Sequence, residues 1–143
     1  MQQVADLLNH KGRNIWSLAP EATVYEAIDL MAQKGVGALL VMEGARLAGI
    51  ISERDYARKV ILRGRSSRET KVREIMSYPV LCAQPDLTVE QAMALMTEKR
   101  VRHLPVMVGD RVDGVISIGD VVRAMIEDRD LEIRQLTSYI TSG

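Results

Sequence analysis

The chain aligns with itself. Displaced by 65 places, residues 15–60 fall on residues 80–125 without a gap, and 18 of the 46 paired positions are identical. The identities include Pro20 with Pro85, Thr23 with Thr88, Gly49 with Gly114, Ser52 with Ser117 and Asp55 with Asp120. An internal duplication of this kind constrains the fold before any local pattern is considered. A unit this small cannot cover both faces of its own sheet, so the two copies are expected to share a core, packed with pseudo-two-fold symmetry. The 143 residues suit one such module and leave no room for a separate effector domain, so any output is expected in trans.

Within each copy the apolar period changes in the same order. Val24, Ala27, Ile28 and Met31 recur at helical spacing, as do Val89, Ala92, Met93 and Met96, and each run is opened by a threonine suited to the N-cap. Residues 36–42 and 101–107 read as strands, each followed by a turn at Gly44 or Gly109 and a second strand over 46–52 or 111–117. Apolar residues at 56, 57, 60 and 61, and again at 121, 122, 125 and 126, return to the helical period. With short extended pieces at 15–18 and 80–83, the unit is β-α-β-β-α and the fold class is α+β. The expected division is a lead-in and first repeat over 1–62, with Val4–Leu8 introducing that first copy, and a linker over 63–79 that turns amphipathic at Val72, Ile75 and Met76. A second repeat over 80–127 and a tail over 128–143 follow, the tail extending the last helix through Leu131, Leu136 and Tyr139.

Composition excludes some classes. The 19 basic and 19 acidic residues cancel, so no global field draws the chain to nucleic acid or anionic lipid. One cysteine, Cys82, cannot form an intramolecular disulfide, no secretory signal is recognisable and no apolar run nears the ~20 residues needed to cross a bilayer, so a soluble cytoplasmic protein is expected. His103 and His10 form no cluster with ligand spacing, so no metal site is expected. Cys82 reads as a buried or pocket-lining thiol, and the eight methionines, four of them at stripe positions 31, 93, 96 and 125, as core residues. Residues 58–73 hold seven basic residues against one acid, which reads as a solvated linker; without interleaved aromatics, single-stranded nucleic acid is disfavoured as a partner.

The repeated Ser-x-x-Asp has two readings. In one it is a capping box, Ser52 and Ser117 capping the last helix of each unit while Asp55 and Asp120 answer its first amides. In the other, a carboxylate beside free amides at a strand-to-helix junction accepts the two hydroxyls of a ribose, and the amides receive phosphate.

In these motifs the chain resembles a tandem pair of cystathionine β-synthase (CBS) domains, a Bateman module. "GIISERD" and "GVISIGD" match the family's Gly-h-h-Ser/Thr-x-x-Asp pattern, where h is hydrophobic. "VRHLPVM" matches its h-x-h-L-P-V pattern fully, whereas "VGALLVM" has Leu40 in place of the proline, and "KVREIMS" resembles the usual lead-in to a second unit. The resemblance covers residues 4 to about 127 and implies two clefts for adenosine-bearing ligands: AMP, ADP or ATP, with NAD(H) an alternative and S-adenosylmethionine ranked behind them. It further implies a homodimer paired through helices. Carried over, Ser52 and Asp55, with Arg54 beside them, would belong to one cleft with Ser17, Leu18 and Ala19 near the base and Arg102 and His103 reaching in from the other copy, and Ile51, Leu104 and Pro105 are further binding candidates. Ser117 and Asp120 would belong to the second, with Cys82, Ala83 and Gln84 near its base and Gly37 and Ala38 opposite.

That assignment is asymmetric in charge. Arg54, Arg102 and His103 would make the first cleft suited to charged nucleotides, while Gly37, Ala38 and Gly119 would leave the second for a nucleoside, a less charged nucleotide or nothing. The leading expectation is a regulatory module that senses adenine nucleotides and signals to an effector protein. A structural or nucleic-acid-binding dimer using the basic linker is the alternative. No nucleophile with a positioned base, metal cluster or P-loop supports a nucleotide-processing enzyme, so no catalytic residues are assigned.

Overall fold

The computed structural model describes residues 2–142, and the side chains of Tyr139, Thr141 and Ser142 lie outside the described residues, so the expectation for Tyr139 is not carried further. In chain order the elements are α1 (Val4–Lys11), β1 (Ser17–Leu18), α2 (Val24–Lys34), β2 (Ala38–Glu43), β3 (Arg46–Ser52), α3 (Glu53–Tyr56), α4 (Val89–Lys99), β4 (His103–Val108), β5 (Arg111–Ser117) and α5 (Ile118–Ser142). A π-helical stretch, Ala57–Ile61, continues α3, and a 3-10 turn spans Val72–Glu74. The fold is α+β, as the periodicities require. Contacts divide it into two units, one of residues 14–81 and 110–112, the other of residues up to Arg13, 82–109 and from Asp113 onward.

Equivalent residues build equivalent ends in the two repeats. Thr23 Oγ1 accepts from the Glu26 amide at 3.1 Å while the Glu26 carboxylate accepts from the Thr23 amide at 3.0 Å. Thr88 and Gln91 repeat the exchange at the start of α4, at 3.1 and 3.0 Å. Each threonine thus satisfies amides that the first helical turn leaves unpaired. Both helices stop on a left-handed residue, Gly35 (φ 65°) in the first repeat and Arg100 (φ 55°) in the second. Arg100 adopts a conformation that glycine takes at lower cost.

The sheets differ by one rung. In the first repeat β1 lies parallel to β2, with Ser17 opposite Leu40, and β2 is antiparallel to β3, with Ala38 opposite Ser52. The Leu40 amide donates to the Trp16 carbonyl at 3.1 Å. Pro105 stands at the equivalent place in β4 and has no N–H to give. The extended piece at 80–83 is accordingly reduced to a bridge between Ala83 and Val106, held by Ala83 N donating to Pro105 O (2.8 Å) and Met107 N to Ala83 O (2.9 Å). The core of the first repeat gathers Val24, Ala27 and Met31 from α2, Leu39, Val41 and Ile51 from the sheet, and Val60, Val72 and Ile75 from the segments that follow.

The lead-in segments are placed differently from expectation. The sequence suggests that Val4–Leu8 introduces the first copy and that the 71–77 segment leads into the second. Instead, α1 joins the second repeat: Gln3 bridges Thr88, the Val89 amide donates to Gln2 O (3.0 Å) and the Val4 amide to Leu87 O (2.8 Å). The 71–77 segment folds back on the repeat it follows: Lys71 bridges Thr23, the Val72 amide donates to Ala22 O (2.8 Å), and Ser77 and Ile50 exchange amide bonds at 2.9 and 3.1 Å. The reason is steric. Gly49 leaves a hollow in β3 that Met76 fills, and Gly114 leaves one in β5 that Leu8 fills. A single side chain occupies each hollow, so α1 has no place on the first repeat.

The last helix continues well past the duplicated region. Over its 25 residues α5 buries Val121 and Ala124 and leaves Val122, Ile126, Leu131, Ile133, Leu136 and Ile140 exposed. Among the described residues, no helix is long and apolar enough to cross a membrane.

Candidate functional site

Each Ser-x-x-Asp closes a capping box. Ser52, in extended conformation at the end of β3, accepts the Asp55 amide on Oγ at 3.2 Å and donates its own amide to Asp55 Oδ2 at 2.9 Å and its hydroxyl to the same oxygen at 3.0 Å. Ser117 repeats the main-chain part, its amide donating to Asp120 Oδ2 at 2.8 Å and its Oγ accepting the Asp120 amide at 3.2 Å. A further bond sets the entry angle of both helices. The Glu53 amide donates to Gly37 O at 3.0 Å, and the Ile118 amide to Arg102 O at 2.8 Å. The start of one strand is thereby tied to the start of the helix following the next.

Both carboxylates are sheltered and both hold a lysine. Asp55, its side chain 14% exposed, pairs through Oδ1 with Lys59 at 3.1 Å, four residues on along the same helical stretch, and Lys59 also donates to Ile75 O at 2.9 Å. Asp120, 11% exposed, receives the Lys11 ammonium on Oδ2 at 2.6 Å, with Arg123 at 3.7 Å from Oδ1, and Lys11 also donates to Val115 O at 3.0 Å. Burial pushes the Asp120 carboxyl up, but the bonds from Lys11 and Ser117 outweigh it and hold the group below the usual carboxylate range. His103 is depressed, chiefly by burial and then by Lys11, against an upward pull from Asp120 and with Arg102 pushing down. Desolvation raises the Cys82 thiol, in keeping with a structural rather than a nucleophilic cysteine.

The candidate residues gather unit by unit. Gly37 and Ala38 join Ser52, Arg54 and Asp55 at one end of the first repeat's sheet, with Ser17 and Leu18 on the outer strand beyond β2 and Ala19 in the turn after it. Arg102 and His103 join Ser117 and Asp120 in the second repeat, with Cys82, Ala83 and Gln84 leading into α4. The side chains of Ile51, Ala83, Leu104 and Pro105 are buried. They can meet a ligand only through main chain. What the sequence did not reveal is the lysine at each aspartate. Lys59 was recoverable from its i+4 spacing; Lys11, 109 residues from Asp120, carried no local signal.

The basic segment is largely engaged in internal pairs. Arg65 pairs with Glu74 at 2.6 Å, Lys71 and Arg73 with Glu21 at 2.7 and 2.9 Å, and the Arg68 guanidinium stacks on Tyr25 at 3.8 Å. No group of three or more His, Cys, Asp or Glu among the described residues could hold a metal ion.

These features coincide with those of known proteins. The CBS domain pattern matches residues 4–62 and 72–127. The chain belongs to the CBS domain family. Over 150 residues it is 42% identical to the CBS domain-containing protein CBSX3, mitochondrial, of Arabidopsis thaliana, covering 98% of this chain and 72% of that protein. A solved structure of a proposed signal-transduction protein with CBS domains from Burkholderia ambifaria MC40-6 superposes with a TM-score of 0.86 at 51% identity, over 89% of this chain and 96% of that one. The CBS domain pair of protein MJ0100, solved with 5-methylthioadenosine and S-adenosyl-L-methionine, shares the fold at 22% identity and a TM-score of 0.79, over 90% and 98% of the two chains.

Proposed function

We propose that this CBS pair is a regulatory module that binds an adenine nucleotide, AMP, ADP or ATP with NAD(H) as the alternative, at its Ser-x-x-Asp helix starts and passes the bound state to an effector protein. The observation that carries this reading is the pair of sheltered carboxylates, each at a strand-to-helix junction beside helix-start amides and each supplied with an ammonium. A ribose diol can take the carboxylate edge while phosphate meets amides and lysine. The MJ0100 pair, complexed with adenosine-bearing ligands, supports the ligand class at the level of the fold. We read the chain as having no catalytic activity of its own, because the serine hydroxyl beside each aspartate is engaged in the capping exchange, accepting the Asp55 or the Asp120 amide at 3.2 Å. A cytoplasmic location is proposed from the lone cysteine, and cell fractionation decides between it and the compartment in the name of CBSX3.

The effector state is proposed to be a homodimer. Along α5, Ile126, Ile133 and Ile140 recur every seven residues, as do Val122, Arg129 and Leu136, and the two series alternate at spacings of three and four. Branched residues at this repeat suit a second copy of the same helix, and the acidic residues flanking Arg129, namely Asp128, Asp130 and Glu132, give that copy the counter-charges for the one cation in the seam.

The test of the ligand is titration calorimetry of the full chain with AMP, ATP, S-adenosylmethionine and NADH, repeated on Asp55→Ala and Asp120→Ala. Each variant is expected to lose one site. Unchanged binding in both variants would overturn the assignment, and recovery of a chemically altered nucleotide would overturn the non-enzymatic part.

A further inference from the structure

We infer that Lys11 makes the second Ser-x-x-Asp a site for phosphate-bearing ribosyl ligands, selecting them over the corresponding neutral nucleosides. This rests on the reading of Asp120 as a sugar-binding carboxylate and reverses the charge asymmetry expected from the repeat alone.

The argument begins with what a ligand must displace. Asp120 Oδ2 already accepts the Lys11 ammonium at 2.6 Å and the Ser117 amide at 2.8 Å, while on Oδ1 the cation nearest is Arg123 at 3.7 Å. Lys11 is 37% exposed against 11% for the carboxylate, so its ammonium stands between Asp120 and solvent. A ribose diol that takes both carboxylate oxygens must share or replace the charge-assisted bond on Oδ2, which is about twice as strong as the neutral one it offers. A neutral nucleoside would leave the ammonium bonded to the Val115 carbonyl and bring no charge to replace the carboxylate bond it lost. A phosphate on the same ligand supplies that charge, and a lysine is well suited to receive it as a point charge.

The surroundings allow such an exchange. From Asp120 a groove of about 210 Å³ runs between α1 and α5, lined by His10 and Lys11 on one side and Arg123 on the other. Two acids also border it: Asp6, which accepts the Gln3 amide at 2.8 Å, and Glu127, and both oppose an incoming anion against Lys11 and Arg123. The contrast with the first repeat is one of origin. Lys59 is part of the repeat, and its equivalent 65 residues later is Ala124; the cation at Asp120 comes from α1, outside the duplicated segment.

The experiment uses the full chain with Asp55→Asn, so that only the second site is read, and titrates AMP and adenosine. AMP is expected to bind at least about tenfold more tightly than adenosine. Lys11→Met should reduce that ratio to about twofold or less, chiefly by weakening AMP, and Lys11→Arg should restore most of it. Lys11 is 37% exposed and lies outside the apolar core, so these variants should keep the parent fold, checked by circular dichroism, with Lys11→Met losing only the stability of one ion pair. An AMP-to-adenosine ratio unchanged by Lys11→Met, or an equal loss of both ligands, overturns the role given to Lys11. Binding of both ligands that survives Asp120→Asn instead overturns the site itself, so the two failures are told apart.

Discussion

Leu8 lies directly on Gly114, its Cδ2 only 2.7 Å from where a β-carbon on that glycine would stand. Met76 holds the same relation to Gly49, with Sδ at 2.6 Å, but there the Ser77 carbonyl also crowds the position at 3.1 Å. The two glycines should therefore respond unequally to an added methyl. Gly114→Ala can be met by rotation of the Leu8 tip, whereas Gly49→Ala also presses on main chain pinned by the Ile50–Ser77 bonds. Gly49→Ala is expected to cost about 1–3 kcal/mol and Gly114→Ala less. Leu8→Ala, which opens the hollow, should cost about 2–5 kcal/mol. Chemical denaturation of the three variants gives the ranking, and equal costs for the two glycines would refute the backbone argument.

Acid should weaken the second repeat first. His103 is depressed chiefly by burial, so the unfolded chain takes up a proton more readily than the folded one as pH falls below the ordinary value of 6.5. Its contribution to stability is whole above that value and is lost as pH drops through the lower folded value. Asp120 acts in the same sense in a more acid window, since it too is depressed, from an ordinary value of 3.8. The melting temperature should therefore decline between about pH 7 and pH 5, and His103→Gln should flatten that part of the curve. A decline of the same slope in the variant would assign it to other groups.

The exposed seam on α5 predicts a change of mass. Ile133 is 53% exposed, so Ile133→Asp should leave the helix and core intact by circular dichroism while placing two like charges, one per copy, at the centre of the proposed contact. Light scattering after size exclusion is expected to show a dimer for the parent chain and a monomer for the variant. The same mass for both would remove α5 from the interface.

Features carried by short-range patterns were legible in the sequence. Thr23 and Thr88 mark their helices because a capping box is complete within four residues, and Ser52 and Asp55 reveal their exchange for the same reason. Pro105 held a signal that went unused: a residue without an N–H cannot extend a ladder, yet the repeat led to equal strands being expected at 15–18 and 80–83. The placement of α1 was not legible. Val4, Leu7 and Leu8 show an apolar stripe, but a stripe does not say which of two similar hollows it fills, and the repeat itself pointed to the nearer copy. Lys11 was hidden with it, because an ion pair formed across 109 residues leaves no period in the sequence.

That placement of α1 has a consequence for synthesis. The ribosome delivers Val4, Leu7 and Leu8 early, yet the surface that shelters them is finished only once Gly114 and the first turn of α5 have emerged. The strap at 71–77 that closes on the first repeat emerges directly after it, while α1 must wait, greasy face uncovered, until the end of the duplicated sequence arrives.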